Sequence, residues 1–381
     1  MNNDRRRRDG ESYEDWLIRA MWYAYLDARK CKRNTADQYR FELNAIENLM
    51  LLRRDILERR YEPGRGIAFI VHDPVIREIF AAPFRDRVVH HLLYDLSYEW
   101  WDRRLIFDSY SCREGKGTLL GAKRLREQEN QAINKYHEPI YIIKMDIQGY
   151  FMSLPRTGLY QRIVWGLNQQ FPNKPREYYM AKYLWRKVIF DDPTKDVRKR
   201  GDRTEWKMLP DSKSLFCQKP GTGIVIGNLS SQLLSNIYLD QLDRFIKYKL
   251  KYEFYGRYVD DFYILVPASK LPQALRDCEA IKVFLQGLKL KLHPRKFYIQ
   301  NINRGVVYLG MRVLPNRIMP GPRIVRRYKR AAAEVMTGLR DEATILSYIG
   351  QFSHLKSAKI QHEIFDEVGW EWDWKWGLNW E

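Results

Sequence analysis

The sequence predicts an α+β fold in which an antiparallel sheet is flanked by helices, and three patterns carry that reading. Tyr255 to Val266 reads as a β-hairpin with two acids, Asp260 and Asp261, at its turn. Tyr141-Ile142-Ile143-Lys144-Met145-Asp146 is a short apolar run ending in an acid, the mark of a buried strand. Long stretches with apolar residues at helical spacing surround both, residues 228–250 being the clearest.

The elements follow in chain order. Residues 1–10, with Arg5 to Arg8, form a flexible basic arm suited to a phosphate backbone or to solvent. From Tyr13 to about Arg59 the pattern is helical, with Trp16, Leu17, Met21, Tyr25 and Leu26 on one face, until Glu62-Pro63-Gly64 breaks it. Ile67–Val71 is a short strand, and helices follow at 87–101 and 119–136. After the 141–146 strand come helices at 156–171 and 175–188. Residues 190–214 are charged with little apolar periodicity and read as a surface excursion. Beyond the hairpin, 271–290 is helical, 306–313 is a strand pair hinged at Gly310, and 324–365 is helical with a basic face. The tail EVGWEWDWKWGLNWE alternates Trp with polar residues, as a terminal strand or a docking segment would.

Composition bounds the partners. The chain has 381 residues, 45% of them hydrophobic, which is ample for a core. Its formal net charge of +19 calls for counterions or a partner, usually a polyanion, and 14% aromatics interleaved with cations suit stacking on unpaired bases as well as a core. Four scattered cysteines with no C-x-x-C pair speak against a zinc or redox motif and for reduced thiols in a cytosol. The opening MNNDRRRRDGESYEDW lacks the apolar run of a secretory leader, and no apolar run reaches the length of a membrane span.

The chemistry-bearing residues are acids at strand ends. Adjacent carboxylates between apolar strands are costly unless they sit at a turn and meet cations. Tyr258-Val259-Asp260-Asp261 is such a turn, and Asp146 ends a second strand. Neighbouring strands of one sheet can bring the three acids together on a pair of metal ions, as two-metal phosphoryl chemistry requires; Mg2+ suits carboxylate oxygens and phosphate partners. A second acid pair, Asp191-Asp192, lacks a following apolar strand. Between the two strands, Gly223 to Gln232 precedes the long helix, where glycine permits close approach of another backbone or a ligand.

In this order the segments resemble the motifs of reverse transcriptases. DIQGYFMSL (146–154), IGNLSSQLLSNIYLDQLD (226–243) and YVDD (258–261) are similar to motifs A, B and C. LKLHPRKFYI (290–299) and VVYLGMRV (306–313) resemble motif D and the primer grip, and 77–95 with 108–118 resemble the fingers motifs. The resemblance spans about residues 65–355 and implies a right-hand polymerase fold. The implied organisation is an N-terminal arm and helical extension at 1–60, fingers at 61–140, palm at 141–155, a fingers insertion at 156–215, palm at 216–317, and a short helical thumb with the Trp-rich tail at 318–381.

The same resemblance implies roles. Asp146, Asp260 and Asp261 would hold two Mg2+ ions, with the Ile147 carbonyl completing the site. Phe151 would be the steric gate against a ribose 2′-hydroxyl, and Arg77 and Arg113 would grip the incoming triphosphate. Lys296 would protonate the leaving pyrophosphate; Gly227 and Gln232 would line the templating pair; Tyr308, Leu309 and Gly310 would form the primer grip. The partners implied are an RNA template, a DNA or RNA primer and dNTPs, in the cytoplasm of a bacterial, archaeal or phage-encoded system. Ile226-Gly227-Asn228-Leu229-Ser230-Ser231-Gln232 stands where many reverse transcriptases carry Gln-Gly-x-x-x-Ser-Pro. That wording resembles the error-prone enzymes of diversity-generating retroelements, which mutate at template adenines and work with a small basic accessory protein of the Avd type; Ile226 would then influence fidelity. Pro74-Val75-Ile76-Arg77-Glu78 departs from that family's Pro-Lys-Pro-Arg-Glu. Two alternatives stand beside this reading: a retron or abortive-infection reverse transcriptase, whose usual Asn-Ala-x-x-His and Val-Thr-Gly strings are missing here, and a catalytically idle RNA-binding protein on a polymerase scaffold, against which all three acids argue.

Overall fold

A computed structural model of the chain describes residue 5 and residues 7–30, 35–73 and 75–368; the tail's tryptophans lie outside the described residues. The helices are α1 (Tyr13–Arg29), α2 (Ala36–Glu42), α3 (Ala45–Leu57), α4 (Phe84–Asp102), α5 (Thr118–Tyr136), α6 (Tyr150–Ser153), α7 (Arg156–Gln170), α8 (Pro175–Phe190), α9 (Arg203–Lys207), α10 (Leu229–Arg244), α11 (Leu271–Gly287), α12 (Pro322–Met336), α13 (Ala343–Phe352) and α14 (Ala358–Val368). The strands are β1 (Gly66–Val71), β2 (Arg77–Ala81), β3 (Ile140–Asp146), β4 (Val197–Lys199), β5 (Tyr255–Tyr258), β6 (Asp261–Pro267), β7 (Tyr298–Asn301), β8 (Val306–Tyr308), β9 (Met311–Leu314) and β10 (Arg317–Pro320).

They fall into two compact units. Among the described residues, the first comprises those within 1–106, 147–245 and 281–292, and the second those within 107–146, 246–280 and 293–368. In the first, α1 starts at the Ser12 cap, whose hydroxyl accepts the Asp15 N–H at 3.0 Å. Its buried stripe Tyr13, Trp16, Leu17, Ala20, Met21, Ala24 and Tyr25 packs on α4, and α4 packs in turn on α10. A small sheet in the order β2-β1-β4 lies in the same unit. The helical stretch expected from Tyr13 to Arg59 is three helices, and α10 ends at Arg244, followed by a π-helical turn over Phe245–Lys249.

Two expectations are corrected in this unit. The charged stretch 190–214 is not merely an excursion: β4 pairs parallel with β1, the Arg200 N–H donates to the Ala68 carbonyl at 2.8 Å, and Leu209 is buried. A three-residue strand fixed by backbone bonds leaves no apolar period to read. Arg5 and Arg7 of the basic arm are likewise not free: Arg5 pairs with Asp27 and with Asp95, and Arg7 pairs with Glu177 at 3.1 Å. Acids on the unit's own helices, Glu177 buried and Asp27 and Asp95 half-buried, supply the anions expected of nucleic acid.

The second unit is built on a four-stranded antiparallel sheet in the order β5-β6-β3-β7. Ile140, Ile142, Tyr263 and Leu265 of that sheet share a buried cluster with Leu125 and Ala132 of α5 and with Val306, Tyr308 and Val313 of a second sheet, β10-β9-β8. The strand pair expected at 306–313 is present, turning through Leu309 and Gly310, both at positive φ, the conformation that tight two-residue hairpins require. α12, α13 and α14 close their own core around Tyr328, Ile349, Phe352 and Phe365.

Candidate active site

The acids meet on the four-stranded sheet. β3 and β6 run antiparallel from Ile140↔Pro267 to Asp146↔Asp261, so two carboxylates stand directly opposite each other at one end. β5 and β6 pair through Tyr258↔Asp261, which leaves Val259-Asp260 as a two-residue turn and puts the third acid at its apex. Like charges directly opposite one another are unfavourable, and the molecule answers with lysines. The Lys296 ammonium pairs with Asp146 Oδ2 at 2.7 Å, and Lys144 pairs with Asp261 Oδ2 at 3.2 Å while also donating to the Val307 carbonyl at 3.0 Å.

Burial pushes the Asp260 carboxyl up to about 6, and the charges of Asp146 and then Asp261 add to the effect. Asp261 is also raised, through burial first, with Lys144 opposing. Among the described residues no group of three or more His, Cys, Asp or Glu side chains is already arranged around a metal position. Two of the three acids are engaged by lysines instead. The donor chemistry nonetheless fits a hard divalent cation: the ligands are carboxylate oxygens, and their mutual repulsion is what a cation relieves.

The other predicted residues divide between the units. In the second, Lys296 faces Asp146 as described, and Arg113 is buried, with one guanidinium N–H donating to the Ser109 carbonyl at 2.9 Å. Tyr308 is fully buried, edge-on to Tyr263 at 5.2 Å, and Leu309-Gly310 form the turn beyond it.

In the first unit, Arg77 is exposed on β2 opposite Val71. Ile147 is buried and bridged to Leu292. Phe151 is half-buried in α6, edge-on to Tyr150, and its carbonyl accepts the Ile224 N–H at 2.9 Å. Gly227, at φ +127°, allows a close approach, but the partner is protein: a Cβ there would meet the Phe80 carbonyl oxygen at 2.5 Å, and the Phe80 N–H donates to the Ile226 carbonyl at 2.8 Å. The Ile226 side chain packs against the cluster of Ala68, Phe80, Met152 and Leu215. Close approach of another backbone, one of the two partners that a glycine here was expected to admit, is thus present, and that backbone is β2. Gln232 is exposed and, with Gly227, lines a cavity of about 1090 Å³ together with Arg40, Arg65, Arg87, Arg198 and Arg200.

Sequence reasoning missed several of these residues. Lys144 lies two positions before Asp146 on a strand, and the period of two puts both on one face; that signal was there to use. Arg257, fully buried beside the hairpin turn, and the cavity's arginines gave none, because their company depends on tertiary pairing.

Residues 76–313 match the family model described as reverse transcriptase (RNA-dependent DNA polymerase). No curated protein matches. Among solved structures, the chain is similar to telomerase from Candida albicans in complex with a TWJ fragment of telomeric RNA, at 11% identity and TM-score 0.49, covering 82% of this chain and 57% of that one. It is also similar to apo telomerase from Candida tropicalis, at 12% identity and TM-score 0.47, covering 81% and 59% respectively. The chain therefore spans less than two thirds of the length of these telomerase chains. Among the described residues no helix is long and apolar enough to cross a membrane.

Proposed function

Because the chain belongs to the family of reverse transcriptases, RNA-dependent DNA polymerases with a right-hand polymerase fold, we propose that it extends a primer on an RNA template by two-metal nucleotidyl transfer, with Asp146, Asp260 and Asp261 as the carboxylates. The observation that carries this is the hairpin register, which sets Asp260 at a turn beside the cross-strand pair Asp146↔Asp261. Two Mg2+ ions held there would supply the charge that activates a primer 3′-hydroxyl and neutralises a triphosphate. Lys144 and Lys296 keep the like-charged acids together before a cation arrives. Lys296, more than half exposed, would then be free to give its proton to leaving pyrophosphate.

Phe151 would exclude the 2′-hydroxyl of a ribonucleotide, and Arg77 and Arg113 would bind the triphosphate of a dNTP. The Tyr308-Leu309-Gly310 turn would support the primer, and the arginines lining the cavity with Gly227 and Gln232 would take template phosphates.

Within the family the chain reads as the error-prone enzyme of a diversity-generating retroelement, with a small basic accessory protein as partner. The support is the sequence Ile226–Gln232. Ile226 would act on fidelity by seating Gly227 against β2, since its side chain faces the cluster around Phe80. The test is primer extension on a defined RNA with sequencing of the product. Incorporation that depends on RNA and dNTPs, with errors concentrated at template adenines, supports both levels. Even error rates at all four bases would remove the retroelement reading and leave the polymerase.

A further inference from the structure

Val259 occupies a conformation that its side chain disfavours. Its φ is +55°, a region in which β-branched residues are outliers, at the first position of a two-residue turn, where glycine is the usual choice. Such strain persists only where the surroundings over-determine it.

Here both polar groups of the residue are held by the chain. Ser111 Oγ accepts the Val259 N–H at 3.1 Å, and the Arg257 guanidinium donates to the Val259 carbonyl at 3.0 Å and to Ser109 Oγ at 3.1 Å. Arg257 is fully buried, so its fork has no competing solvent. The segment that supplies the serines is itself fixed. Asp108–Ser111 runs parallel to β5, with the Arg257 N–H donating to the Asp108 carbonyl and the Tyr110 N–H to the Arg257 carbonyl, both at 2.9 Å. Arg124 of α5 holds the Asp108 carboxylate at 3.0 Å. At Gly256 a Cβ would meet the Tyr263 hydroxyl at 2.6 Å and the Tyr110 hydroxyl at 2.8 Å, so only glycine lets this segment lie so close.

We propose that Arg257 and Ser111 are positioning residues that clamp Val259 in the left-handed conformation and thereby present the Asp260 carboxylate to a divalent cation. The proposal rests on the reading of Asp260 as a metal ligand. With a glycine at 259 the turn would adopt this shape unaided; with valine it depends on the Ser111 hydroxyl and the Arg257 fork. Both side chains are fully buried, so their loss acts on the geometry of the carboxylate and not on nucleotide or RNA contacts.

The test uses the full chain, with Mn2+ as the probe ion, measured by calorimetry without nucleotide, alongside steady-state primer extension. Ser111→Ala removes one hydroxyl and should lower Mn2+ affinity and kcat about tenfold each. The dNTP KM, RNA affinity and Tm should hold. Adding Val259→Gly to Ser111→Ala should restore both Mn2+ affinity and kcat, a rescue that a merely structural role for Ser111 does not predict. Arg257→Lys, which keeps the charge and loses the fork, should behave like Ser111→Ala; if it fails to fold, the serine series decides alone. Unchanged Mn2+ affinity in Ser111→Ala, or a loss that Val259→Gly does not recover, overturns the clamp. Continued polymerisation by Asp260→Asn would instead overturn the ligand reading, so the two failures are told apart.

Discussion

Asp191-Asp192 and Asp260-Asp261 are the same dipeptide in two regions of the molecule, and burial pushes the first acid of each up to about 6. Their surroundings separate them. Asp191 ends α8 as its C-cap, with its backbone carbonyl taking the Arg156 guanidinium at 2.7 Å. Asp192 turns its carboxylate back on its own loop, where Oδ1 accepts the Thr194 hydroxyl at 2.6 Å and the Thr194 N–H at 3.3 Å. That is a local turn satisfied by local atoms. Asp260-Asp261 instead joins two strands, and the neighbouring strand delivers a third carboxylate in register. A raised proton affinity therefore does not mark a site by itself. What sets the second pair apart is that its carboxylates are gathered from separate strands and balanced by lysines.

The sharpest way to break this comparison is to make one substitution in both places. Asp260→Asn should lower primer extension by a factor on the order of 10³, because it keeps shape and removes the charge that meets the cation. Asp191→Asn should leave the rate alone and raise Tm slightly at pH 7, because an acid that burial holds up near 6 is ionised at a cost there. Comparable losses from both would dissolve the distinction.

A second experiment asks whether residues outside the acid sheet set selectivity while the acids set rate. Phe151→Ala should cut the preference for dNTP over rNTP at least about tenfold, the scale of steric discrimination, with kcat for dNTP falling less. An unchanged ratio would make Phe151 a packing residue of α6. A third, smaller effect concerns the basic cavity. Arg198→Gln and Arg200→Gln should each weaken RNA binding a few-fold and flatten the dependence of log Kd on log salt by roughly one unit, as loss of a phosphate contact does. Arginine replacements that leave that slope untouched would move the template elsewhere.

The sequence made the helices and the acid strands legible because their apolar periods are long or their ends are chemically marked, as in α1, α10, β3 and the β5–β6 hairpin. It concealed β4, β7 and β10, which are three or four residues long and are fixed by backbone pairing, not by apolar alternation. At the candidate site, the convergence of Asp146, Asp260 and Asp261 was legible from their strand ends. Lys144 is recoverable from the strand period, which sets it on the same face as Asp146. The Ser111–Val259–Arg257 arrangement was not recoverable, since it joins positions about 150 apart through a parallel bridge that no local pattern announces.

Glu129 offers the mildest and most specific test, since it is a buried acid with neither a cation nor a sister acid as company. It is fully buried in α5, and among the described residues neither carboxylate oxygen has a hydrogen-bond partner. Burial alone pushes its carboxyl up to about 8 from an ordinary 4.5. Between those values the folded chain keeps a proton that the unfolded chain releases, so stability falls as pH rises through the window and is level below about 4.5 and above about 8. One proton sets the slope at no more than about 1.4 kcal/mol per pH unit. Glu129→Gln keeps the shape and removes the proton exchange. The variant should therefore lose this component of the fall in Tm between pH 6 and 8 and be more stable than wild type at pH 8, with primer extension at pH 7 unaffected. Parallel Tm profiles for the two proteins would mean that Glu129 is ionised in the fold with a partner, and that burial without company does not govern it.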